Sequence, residues 1–116
     1  MQRLRVLPGP FAIEHVPDAR IGDDGWVALV RAPEGLTVVR PARDADEEHW
    51  VAFYGGDTAH DLDVPGMLAA LVGPLAAAAI PVFVTSTFEA DLVFVQVQHC
   101  DGAIATLRAA GHEVAP

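Results

Sequence analysis

No charged residue occurs from Val64 to Phe88, and within that run the spacing of apolar positions changes character. Leu68, Leu71, Val72 and Leu75 recur at helical spacing and form one apolar stripe. Pro65 suits a first helical turn, where its missing N–H has no partner to lose. The pattern predicts a helix over 64–79, stopped by Pro81. Residues 81–88 then read as a strand, Glu89-Ala90 as its turn, and 92–97 as a largely buried return strand. Two β-rich runs with a short joint predict an antiparallel hairpin, although Glu-Ala is not a favoured hairpin pair. A second helix follows over 101–110, with Asp101 as its cap, Arg108 complementing the dipole and Gly111 at its C-terminal end. The predicted core is Leu68, Leu71, Leu75, Phe83, Val93, Val95, Ile104 and Leu107.

Upstream, the periodicity is that of short strands. Residues 4–16 form two strand pieces broken at Pro8-Gly9-Pro10, which belongs at a sheet edge or a bend because proline donates nothing to a ladder. Residues 17–25 are a turn-rich loop. Strands are expected at 26–31 and 36–40, joined by the tight connection Ala32-Pro33-Glu34-Gly35, and again at 49–54. Asp44-Ala45-Asp46-Glu47-Glu48 reads as a solvated acidic connector rather than a metal site. Residues 112–115 form a last short strand. From Trp50 the order is strand, helix, strand, strand, helix, strand, the ferredoxin-like pattern. Residues 50–116 are therefore expected to be a complete α+β unit, and residues 1–49 to add strands without a helix.

Composition narrows the function. The chain has 116 residues, 52% apolar and 20% charged, which argues for one folded domain or two small halves sharing a core. Its net charge of −9, with seven dispersed arginines, disfavours nucleic acid and anionic membrane surfaces. Cys100 is the only cysteine, so no intramolecular disulfide forms and a cytoplasmic location is expected. The uncharged run is long enough to span a bilayer, but Gly73-Pro74 and Pro81 interrupt it and acidic residues flank it. A buried helix followed by a strand explains it better.

The central stretch carries a resemblance. V-P-G-x-L-A-x-L-x-x-P-L-A-x-A-x-I followed by T-S-T-F-x-x-D-x-x-x-V resembles the small ACT-domain proteins related to the CASTOR-type amino-acid sensors. Gly66, Leu68, Pro74, Leu75, Ile80, Phe83, Ser86, Thr87, Phe88, Asp91 and Val95 fall on that text, and the opening L-x-V-L-P-G-x-F-A is also similar. Two positions depart from it: Ala90 stands where threonine is usual, and Gly35 where glutamate is usual. The resemblance implies a ferredoxin-like ACT βαββαβ unit at 50–116, preceded by a helix-poor, incomplete ACT-like half at 1–49. It also implies small ligands held near the helix turn at an ACT interface.

Two places offer ligand chemistry. At the predicted helix N-terminus, around Val64 and Gly66, free N–H groups and the positive dipole end attract an anion such as a carboxylate. The bland alternative is that Gly66 only permits close packing and Asp63 only caps the helix. The turn Ser86, Thr87, Phe88, Glu89, Ala90, Asp91 offers hydroxyls and carboxylates, and Asp91 suits an ammonium group. Its bland alternative is ordinary turn chemistry. The strand leaving the first helix runs back along it, so both places are expected at one edge of the domain. His60, Asp61 and Asp63 lack the further ligands a metal site needs. His99-Cys100-Asp101 lacks a separate base or oxyanion hole. The expectation is a non-enzymatic, amino-acid-binding regulatory module with no cofactor or metal, acting as a homodimer. The alternative is a structural or interaction domain that has lost its ligand.

Overall fold

In the computed structural model, described for residues 2–16, 25, 27–56 and 65–115, the central strand is β5 (Trp50–Tyr54). One edge of β5 pairs along its length with β7 (Asp91–Gln96), from Trp50↔Gln96 to Tyr54↔Leu92, and β7 pairs with β6 (Phe83–Ser86). The other edge is shared. β1 (Arg3–Val6) meets it at Arg5↔Tyr54 and Val6↔Phe53, and β2 (Phe11–Val16) meets it at Phe11↔Trp50. β1 and β2 are thus two arms of a strand bent at Pro8-Gly9-Pro10. The bend expected from the sequence is there, but the arms are interior strands rather than an edge. The prolines fall between the two ladders, where no donor is required.

The sheet branches from that bend. β8 (Glu113–Ala115) runs parallel to β1, while β4 (Gly35–Pro41) and then β3 (Ala28–Ala32) continue from β2 in antiparallel pairing. β3 starts later than the expected 26–31, and Trp26 lies outside the described residues. The C-terminal part keeps the order β5, α1 (Met67–Ala77), β6, β7, α2 (Cys100–Ala109), β8. This is the α+β, ferredoxin-like arrangement expected, with one addition: β1 from the first half stands between β5 and β8.

Alternation across the sheet divides the interior in two. Phe53, Val93 and Val95 point to the helix face, where Leu71 and Leu75 of α1 and Ala103 and Leu107 of α2 cover them with Leu4 and Val114. Ala52, Leu92 and Phe94 point to the other face and pack with Phe11 and Val39 from the branch strands. Phe94 is fully buried between edge-on contacts to Phe11 and Phe83, at 5.7 and 6.1 Å between centroids. β7 is therefore buried on both faces, which is why it reads as a continuous apolar run. Of the predicted core, Leu71, Leu75, Val93, Val95 and Leu107 are buried, while Leu68, Phe83 and Ile104 are half-buried at its margin.

The helix boundaries correct the sequence reading. α1 begins at Met67, so Pro65 precedes the helix instead of forming its first turn. Both helices close with paired backbone bonds of the Schellman type. In α1 these are Ala79 N–H to Ala76 O and Ile80 N–H to Leu75 O, with Ala79 at φ 59; in α2 they are Gly111 N–H to Arg108 O and His112 N–H to Leu107 O. The first helix thus stops at its own left-handed residue, before Pro81 is reached. Asp101 is not the cap of α2: His99 holds that position after a 3-10 turn at Val97–His99, and Asp101 lies in the first turn.

The acidic connector is not merely solvated. Arg40, 5% exposed, makes a two-pronged pair with Asp46, its Nη1 and Nη2 each 2.9 Å from a carboxylate oxygen. Its Nε donates to Glu14 at 2.9 Å, and Asp46 also accepts from Arg43 N–H at 2.7 Å. These bonds, Arg40's first and the Arg43 amide's second, hold the Asp46 carboxyl well below the usual carboxylate range. Among the described residues, no helix is long and apolar enough to cross a membrane.

Candidate ligand site

α1 opens at Gly66, an exposed residue in the left-handed region at φ 83 whose carbonyl accepts from Ala70 N–H at 3.0 Å. No side chain at the cap position bonds the first-turn amides, and no acidic residue lies in that turn. A Cβ at Gly66 would meet nothing within 4 Å among the described residues. The left-handed backbone there is itself a reason for glycine. Val64 and Asp63, like His60 and Asp61, lie outside the described residues.

The β6–β7 connection is a four-residue turn, not the two-residue joint expected. Ser86 pairs with Asp91, and Thr87 N–H bonds Ala90 O at 2.7 Å. Thr87 Oγ1 accepts from the amides of Glu89 and Ala90 at 3.3 and 3.0 Å, so the turn closes on a side-chain oxygen without a glycine. Ser86 Oγ donates to Asp91 Oδ1 at 2.8 Å. Phe88, at the tip, is 82% exposed. Ala90 is buried, so the position that lacks the usual threonine faces the interior. Gly35 has φ 128 in the β3–β4 turn, which accounts for a glycine there.

Two neighbouring residues, Gly55 and Gln2, each contact one of the two places. Gly55 N–H donates to Asp91 O at 3.2 Å. A Cβ at Gly55 would lie 3.5 Å from Gln2 Oε1, and Gln2 Nε2 donates to Met67 O at 2.8 Å. Asp91 and the first turn of α1 therefore flank a common pair, Gly55 and the buried Gln2. Sequence reasoning missed both. Gly55-Gly56 carried a signal of close approach, and a Cβ at Gly56 would collide with the Tyr54 ring. Gln2 carried none.

Other polar features lead elsewhere. Burial, and secondarily the charge of Asp101, push the Cys100 thiol up, the opposite of what a thiolate nucleophile needs. No group of three or more potential metal-binding side chains occurs among the described residues. An open depression of about 390 Å³ lies by β2 and the connector, lined by Ala12, Ile13 and residues 45–48, apart from the candidate residues.

A sheet with both helices on one face and βαββαβ order from β5 to β8 defines a ferredoxin-like domain. Residues 46–109, more than half of the chain, match the model of the ACT domain, and the chain belongs to the ACT-domain family. ACT domains are regulatory modules that bind small ligands and are not catalytic. The fold is similar to the crystal structure of an Agobacterium tumefaciens protein, with a TM-score of 0.77 and 25% identity over 97% of this chain and 91% of that one. It is also similar to a Vibrio cholerae protein of unknown function, described as a possible transport protein, with a TM-score of 0.78 and 22% identity over 97% and 88% of the two chains. No curated protein matches the chain.

Proposed function

We propose that this chain is an amino-acid-binding ACT module of the CASTOR-like kind, working as a cytoplasmic homodimer. Residues 50–116 form the ACT unit in this reading and residues 1–49 an incomplete ACT-like half. The observation that supports it is the run of neighbours from the Asp91 backbone through Gly55 and Gln2 to Met67, which puts the start of β7 and the opening of α1 on the two sides of one pair of residues. An α-amino acid would set its carboxylate at the first turn of α1, beside Gly66 and Val64. Its ammonium would meet Asp91, whose Oδ2 complements the oxygen that accepts from Ser86. Thr87 and Phe88 would bound the site at the hairpin tip. Dimer formation has support in the outer edge of β6, where 81–88 carry no charge in a chain of net −9.

A second reading, an interaction domain without a ligand, is favoured by one observation: Ser86 and Thr87 already bond within their own turn. Thermal unfolding with each of the twenty amino acids separates the two. A ligand at a hundred times its Kd adds about 2.7 kcal/mol of stability. If no amino acid raises the transition, the interaction-domain reading replaces the sensor.

A further inference from the structure

Pro74 lies inside α1, and a proline there deprives the carbonyl four residues earlier of its intrahelical donor. That carbonyl belongs to Ala70, and Nε2 of the buried His112 lies 2.9 Å from it. A carbonyl can only accept, so Nε2 carries the proton and Nδ1 of the neutral ring presents its lone pair. Nδ1 is where Gln2 N–H arrives, at 3.0 Å. Both bonds require the same neutral tautomer. The backbone of His112 is held independently by the closing turn of α2, where its N–H bonds Leu107 O at 3.1 Å.

Gln2 extends the connection. It is 4% exposed, its carbonyl accepts from Glu113 N–H at 2.9 Å, and its side chain donates to Met67 O. Met67 and Ala70 belong to the opening of α1, the segment that starts from Gly66. One histidine and one glutamine thus bond two carbonyls at the start of that helix, and both are held by β1, β8 and the end of α2.

We propose that His112, as the Nε2–H tautomer, is the positioning residue of the α1 opening turn. It replaces the donor that Pro74 lacks and, through Gln2, ties the turn to the N-terminal strand. Its consequence for affinity rests on reading that turn as the amino-acid site. The arrangement makes strand β1 part of the site's support, although β1 lies outside residues 46–109 that match the ACT domain.

Nitrogen-15 NMR of the parent protein near neutral pH tests the tautomer without any substitution. A protonated Nε2 and a bare Nδ1 are expected, and the reverse assignment overturns the proposal. Hydrogen exchange tests positioning. His112→Ala should speed exchange of the Ala70 and Leu71 amides by roughly tenfold over any change in α2, the scale of one lost buried hydrogen bond. Equal acceleration in both helices marks a global loss and overturns it. His112→Gln, which can keep an N–H near the Nε2 position, should restore most of the protection. In a Pro74→Ala background, where residue 74 regains its donor, the effect of His112→Ala should shrink; an unchanged effect overturns the proposal. An equimolar mixture of the twenty amino acids, followed by thermal shift, tests the consequence: the shift of the parent should fall in His112→Ala and return in His112→Gln. If the parent shows no shift, the sensor reading fails, while the tautomer and exchange results still decide the positioning role.

Discussion

Two turns that carry carboxylates meet different fates in this fold. The connector with Asp44, Asp46, Glu47 and Glu48 reads as solvated, yet Asp46 is clamped by a buried arginine arriving from β4. The turn from Ser86 to Asp91 reads as a ligand site, yet its hydroxyls bond mainly within the turn, and Phe88 projects into solvent. A carboxylate's role depends on the cation or donor brought to it. In the first turn that partner is a buried arginine six residues back in β4, itself also bound to Glu14 of β2; in the second it is the exposed hydroxyl of Ser86, five residues back in β6. One hydroxyl engages one oxygen of Asp91, where the guanidinium engages both of Asp46, and the proposed ligand takes the other.

This contrast can be broken most sharply at Arg40. Arg40→Met should lower stability by about 1.5–3 kcal/mol, the usual worth of hydrogen bonds to charged groups, as measured by urea unfolding. A loss indistinguishable from zero would mean the connector is solvated after all. Leu71→Ala provides an apolar yardstick at about 2–5 kcal/mol, since that side chain is 1% exposed beneath α1.

Asp46→Asn should destabilise less than Arg40→Met, because Glu14 and the Pro41 carbonyl still receive the guanidinium. Its signature is in pH. The folded carboxyl is held below its unfolded value near 3.9, so its contribution is full above about pH 4 and is lost as pH falls towards the folded value. The difference in melting temperature between parent and Asp46→Asn should therefore be constant near neutrality and close only in acid. A difference that widens on acidification would contradict the assignment.

At the other turn, Asp91→Asn should change stability by no more than about 0.5 kcal/mol, as for most surface substitutions, and should abolish any amino-acid-dependent thermal shift. Retention of the shift would move the site elsewhere. Smallest of all, Phe88→Ser should leave monomer stability within about 0.5 kcal/mol. Sedimentation of that variant then asks whether the exposed tip supports the proposed dimer, with a fall in dimer fraction expected.

Much of this fold could be read along the chain because its signals are local. The stripe through Leu71 and Leu75, the apolar run of β7 and the bend at Pro8-Gly9-Pro10 each follow from neighbouring residues. The ACT resemblance of 64–97 agrees with the family match over 46–109.

What could not be read is where distant partners meet. Nothing adjacent to Gln2 announces His112, 110 residues away, and nothing near Arg40 announces Glu14, 26 residues earlier. β1 comes to lie between β5 and β8 because the bend splits one strand between two ladders. Periodicity and turn chemistry set the elements by short-range sterics and hydrogen bonding. Pairing between strands far apart in sequence is set by long-range packing and polar satisfaction, which only the assembled tertiary structure decides.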